Sequence, residues 1–147
     1  MTEPHSSYSL SIRWTEGKQG IASSPDGVPD LALASPPQFG GPGGQWTPEH
    51  LFTGSAAACW LTTFLAVAEL SKLEIVAVSV AAEGFLEKGD DRRFSISKIV
   101  LRPRVTVPAE GDRDKAGRLI QKAEDACLVA RSMRTVIELV PEVSVAG

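Results

Sequence analysis

The hydrophobic pattern changes period several times along the chain, and each change marks an element. Between Trp46 and Lys72 (WTPEHLFTGSAAACWLTTFLAVAELSK) apolar and small residues fall on nearly every side of a helical wheel. That pattern predicts a helix buried all round rather than one with a solvent face. Its start is marked by Thr47 as a capping residue, Pro48 at the first helical position and Glu49 in the first turn, where the helix dipole favours negative charge. The run from Leu51 to Leu70 is long enough to span a bilayer. Gly54, Ser55, Thr62, Thr63 and Glu69 interrupt it and no basic flank orients it, so it reads as the central helix of a globular protein.

Around this helix the period is closer to two. Ser9 to Trp14 (SLSIRW) alternates and predicts a half-buried strand, followed by the polar turn TEGKQG at residues 15–20. Pro25-Asp26-Gly27 is a turn signal, and Leu31 to Leu33 a short strand closed by Pro36-Pro37. FGGPGGQ, residues 39–45, is a flexible loop feeding the helix, without the lysine a phosphate-binding loop needs. Beyond the helix, Glu74 to Leu86 and Phe94 to Val107 read as paired strands around the polar loop KGDDRR. The second carries Lys98, Arg102 and Arg104 on one face, which reads as a solvated strand face, and Pro103 argues for an edge position or a bulge. Glu110 to Ala126 predicts an amphipathic helix with Ala116, Leu119, Ile120, Ala123 and Cys127 on the inner stripe. Arg113, Lys115, Lys122 and Glu124 face away, and Thr135 to Val145 is the last strand. The order predicts a single α+β domain over residues 1–147, a sheet wrapping a long buried helix, with residues 1–7 a disordered tail.

Composition narrows the function classes. With 43% hydrophobic and 22% charged residues and a net charge of −3, nothing points to nucleic acid or an anionic membrane as partner. The N-terminal residues lack the basic and apolar regions of a signal peptide, which predicts a cytoplasmic protein. Two cysteines, Cys59 and Cys127, are too few and too far apart for a secreted disulfide framework. They are either two inert buried thiols or a redox couple. Both face apolar stripes of helices, so they meet if those helices pack together. A reactive thiol then needs a cation nearby, since Cys59 lies about three turns into its helix and draws little from the terminal dipole. His5 and His50 read as a tail and a capping residue, and two histidines with two cysteines so scattered lack zinc-ligand spacing.

The loop and helix start FGGPGGQWTPEHLF, the small-residue run GSAAAC and Cys127 at a helix end, in that order, resemble the OsmC/Ohr family of osmotically inducible and organic-hydroperoxide-resistance proteins. The resemblance covers about Ser9 to Val145. It implies an intertwined homodimer of α+β subunits and a thiol-dependent peroxidase acting on organic hydroperoxides. It also implies Cys59 as reactive cysteine, Cys127 as resolving cysteine, Glu49 as active-site glutamate, a dithiol reductant such as a lipoylated protein, and no metal or organic cofactor. Glu49 and Cys59 are ten residues apart, about 15 Å along one axis, so cooperation between them runs across a subunit interface or through a bridging cation. The family's arginine matches Lys18, which keeps the charge without the planar fork; Arg13 is the alternative cation. CLVARSM, residues 127–133, departs from the proline and polar run that many members carry after the cysteine. The competing expectation is a non-catalytic dimer of the same fold that binds an apolar small molecule or a partner.

Overall fold

The computed structural model describes residues 5–147, and the chain divides into two compact units between Leu51 and Phe52. The tail expected over residues 1–7 falls partly on residues 1–4, which lie outside the described residues; His5 to Leu10 are exposed and carry no helix or strand.

The first unit is an antiparallel sheet in the order β1 (Ser11–Glu16), β2 (Gln19–Ser23), β3 (Leu31–Ala34). The polar turn expected at 15–20 contracts to Gly17-Lys18, with Gly17 in the left-handed region at φ 49°. QGIAS, taken with the turns in the sequence, is the central strand. The glycine-rich loop is pinned rather than loose. A short 3-10 turn over Pro37–Phe39 is closed by Gly40 N–H to the Pro37 carbonyl at 3.0 Å and Gly41 N–H to the Pro36 carbonyl at 3.1 Å. A parallel bridge between Leu33 and Trp46 shuts its base. At Gly41 a Cβ would lie 1.6 Å from the Ser35 carbonyl oxygen, so only glycine fits.

Helix α1 (Pro48–Leu70) begins here and continues into the second unit. Thr47 Oγ1 accepts from the His50 amide at 3.1 Å, and the Thr47 amide donates back to His50 Nδ1 at 3.3 Å. This is a reciprocal cap in which histidine takes the place usual for glutamate. The helix ends with Lys72 at φ 57° and Leu73 N–H on the Ala68 carbonyl at 2.9 Å, a left-handed cap built without glycine.

The second unit holds a four-stranded sheet of β4 (Ala77–Lys88), β5 (Phe94–Val107), β6 (Val136–Leu139) and β7 (Glu142–Val145), with helices α2 (Arg113–Ala126) and α3 (Leu128–Arg131) between β5 and β6. β4 pairs antiparallel with one side of β5; β6 and β7 pair parallel with the other, end to end. Two expectations change. The last strand is two strands, broken at Val140-Pro141, and β5 is central rather than an edge. Pro103 is tolerated because of that break. The Leu101 and Val107 carbonyls bond toward the β6–β7 side, so the two-residue period turns the Pro103 nitrogen to the same side. There it meets the interval between the registers of β6 (paired with 98–101) and β7 (paired with 104–107), where no ladder bond is lost.

The core lies between this sheet and the helices: Ile99, Leu101, Val105 and Val107 of β5, Ala116, Leu119, Ile120 and Ala123 of α2, and Ala56, Trp60, Phe64 and Ala68 of α1. Trp60 stacks on Phe64 with ring centroids 4.9 Å apart, and its Nε1 donates to the Ile120 carbonyl at 3.2 Å. The α1 residues form a single stripe spaced by four. The helix is therefore not buried all round within one chain: Leu51, Phe52, Leu65 and Leu70 stay exposed. The basic residues of β5 are ion-paired across the sheet, Lys98 with Glu138, Arg102 with Glu83 and Arg104 with Glu142. The solvated-face reading of that strand holds, and each exposed pair contributes up to about 1 kcal/mol.

Candidate functional site

Helix α2 stops at Ala126 because Cys127 turns into extended backbone (φ −67°, ψ 111°), its N–H still held by the Glu124 carbonyl at 3.2 Å. Leu128 then starts the single turn α3. Stopping and restarting a helix in this way creates new first-turn amides with no intrahelical acceptor. Here the amides of Leu128 and Val129 hydrogen-bond to the sulfur of Cys59, on α1. The Cys127 thiol does the same, and Thr63 Oγ1, one turn along α1, lies 3.8 Å from the Cys59 sulfur. The two cysteines are thus in hydrogen-bonding contact as free thiols, Cys59 half-buried and Cys127 fully buried.

Their environments push them apart. Burial raises the Cys59 thiol, but hydrogen bonds from Cys127, the Val129 amide, Thr63 and the Leu128 amide outweigh it and hold the group below its ordinary value. Cys127 is pushed up to about 11, first by burial, then by its hydrogen bond to Cys59 and the charges of Cys59 and Glu124; the Ala130 amide opposes. Cys59 is the sulfur that ionises and Cys127 the one that keeps its proton and donates it. The groups that lower Cys59 all lie between residues 63 and 129 and none is a cation. Neutral donors therefore contribute to the activation for which the sequence pointed to a lysine or arginine.

The other candidates have partners of their own. Lys18 Nζ donates to the Phe39 carbonyl at 2.9 Å, tying the β1–β2 turn to the loop before α1. Arg13 is exposed on β1, opposite Ile21 in the register. Glu49 sits in the first turn of α1 with Oε2 buried and without a hydrogen-bond partner. Sequence reasoning missed four contributors: the Leu128 and Val129 amides, Thr63, and Glu124. Glu124 was expected to face away, yet its Oε2 is buried and unpartnered. Backbone amides leave no residue-type signature, but a cysteine at a helix end followed at once by helix-forming LVAR was a usable sign.

Comparison with known proteins places the chain in context. The profile of the OsmC-like protein family matches residues 41–142. The uncharacterized protein YmaD of Bacillus subtilis (strain 168) is 29% identical, with 94% of this chain and 93% of that protein covered. An organic hydroperoxide resistance protein of Xanthomonas axonopodis pv. citri (strain 306) is 30% identical over 90% of this chain and 91% of its own. Among solved structures, an organic hydroperoxide resistance protein OsmC from Legionella pneumophila superposes with a TM-score of 0.73 at 25% identity, covering 97% of this chain and 99% of its own.

Proposed function

Because this chain belongs to the OsmC-like protein family, we propose that it is a thiol-dependent peroxidase that reduces organic hydroperoxides through Cys59 and Cys127. The observation that carries this reading is the division of labour between two touching thiols, one held toward its thiolate and the other held protonated. The hydroperoxide-resistance relatives support the substrate class.

The Cys59 thiolate attacks the outer peroxide oxygen, the O–O bond breaks, and the alkoxide takes a proton to leave as the alcohol. Cys59 becomes a sulfenic acid, with sulfur oxidised and peroxide reduced. Cys127 then attacks the Cys59 sulfur and gives up its proton, the S–O bond breaks, and water leaves as the disulfide forms. A dithiol, such as that of a lipoylated protein, reduces the disulfide by two exchanges and is itself oxidised. Glu49 with Lys18 or Arg13 remains the carboxylate–cation pair that the family resemblance assigns to this chemistry. Reversible thiol cycling suits a cytoplasmic protein.

A homodimer is part of the same proposal. Large apolar residues stay exposed along β1 and before it (Leu10, Ile12, Trp14) and along α1 (Leu51, Phe52, Leu65). A second copy of the chain is the occupant that this pattern and the apolar character of α1 favour. The alternative, a non-catalytic dimer binding an apolar small molecule, draws on one observation: Lys18 is engaged with the Phe39 carbonyl. Consumption of cumene hydroperoxide with dihydrolipoamide as reductant decides between them; the alternative predicts none.

A further inference from the structure

The resolving step puts an unusual demand on this chain. Cys127 must surrender a proton, yet it is 0% exposed and pushed up to about 11, first by burial. At neutral pH only about one such thiol in ten thousand is ionised at any instant. One carboxyl lies at hand. Glu124 is in the last turn of α2, three residues before Cys127, and its backbone carbonyl holds the Cys127 amide. Its Oε2 is buried and makes no hydrogen bond, an expensive arrangement for a carboxylate that merely decorates a helix. Burial first, then Asp125, raises this carboxyl above its ordinary value, which makes it a better proton acceptor than a free carboxylate. The ionisable groups acting on Cys127 are Cys59 from α1 and Glu124 itself.

We propose that Glu124 is the proton acceptor for Cys127 in the resolving step, taking its Sγ proton directly or through one water as Cys127 attacks Cys59. This rests on the reading of Cys127 as resolving thiol. Written out, the Cys127 S–H bond breaks and its proton passes to the Glu124 carboxylate. The Cys127 sulfur bonds to the Cys59 sulfur, and the group on Cys59 leaves with the electron pair of its former bond. After a hydroperoxide that group leaves as water, taking a proton back.

The test uses the whole chain and does not depend on peroxidase activity. Dithio-bis-nitrobenzoate labels Cys59 as a mixed disulfide, releasing one coloured thiolate; attack by Cys127 then releases a second. The ratio of the second rate to the first isolates the Cys127 step. In Glu124→Gln, of the same shape, that ratio is expected to fall by about tenfold or more, and Glu124→Asp to fall between the two. The opposite result overturns the proposal. If Glu124 acts only as a negative charge that discourages ionisation, Glu124→Gln leaves the ratio unchanged or raises it. A parallel arm follows disulfide formation after one equivalent of cumene hydroperoxide. Failure there with the nitrobenzoate ratio behaving as expected counts against the peroxidase reading and not against Glu124.

Discussion

The contribution of main-chain amides to the activation of Cys59 is open to a single-residue experiment. Leu128→Pro deletes the Leu128 N–H, one of the donors holding the Cys59 sulfur. The substitution suits the backbone, because Leu128 opens α3, where proline is tolerated, and Cys127 before it already has the extended ψ of 111° that a following proline demands. The Leu128 side chain is 70% exposed, so little packing is lost. A hydrogen bond to a charged group contributes about 1.5–3 kcal/mol, and a half-exposed sulfur acceptor should sit at half that or less. At about 0.7–1.4 kcal/mol the thiolate fraction at neutral pH falls about three- to tenfold. Removing a donor to the charged form raises the thiol's pKa, so the loss shows at neutral pH and disappears well above the free-thiol value. The assay is the rate of iodoacetamide alkylation of Cys59 against pH, with Cys127→Ala in both backgrounds so that one thiol is read. An alkylation profile in Leu128→Pro that overlays its parent, or lies above it at neutral pH, would refute amide activation.

Further outcomes follow from particular contacts. Lys18→Met, which removes the bond to the Phe39 carbonyl, is expected to slow turnover with organic hydroperoxide while leaving the neutral-pH alkylation rate of Cys59 within about twofold; a large fall in alkylation would return Lys18 to the role of activating cation. Gly41→Ala drives a Cβ onto the Ser35 carbonyl and should lower stability by about 3 kcal/mol in urea unfolding, and an unchanged midpoint would mean the loop relaxes freely. Lys72→Gly relieves the positive φ at the end of α1 and should add about 1 kcal/mol by the same measurement, whereas a loss would show that the lysine side chain matters more than the backbone.

What the sequence made legible follows the strength of each local signal. Phe94 to Val107 was read with its observed boundaries because fourteen residues of alternation leave little choice. The same stretch misled at Pro103, since the gap that excuses it belongs to Val140-Pro141 on the neighbouring side, and one strand's sequence says nothing about breaks in its partner. Gln19–Ser23 went unseen because a five-residue strand of small and polar residues looks like a turn; only pairing on both sides makes it a strand. The existence of α1 was evident, but apolar residues on all sides concealed which stripe the chain itself buries. At the site, the cysteines stood out as residue types, and their contact follows from helix packing. Beside the Cys127 thiol and Thr63, two of the donors that tune Cys59 are main-chain amides created by a helix restart, which no side-chain pattern encodes.

The most direct test of the proposed chemistry is the fate of the two sulfurs after one equivalent of cumene hydroperoxide. Non-reducing peptide mapping should find Cys59 and Cys127 joined within one chain, one cumyl alcohol per disulfide, and both thiols restored by dihydrolipoamide. Unconsumed hydroperoxide, or Cys59 driven to sulfinic acid while Cys127 stays a free thiol, would contradict it.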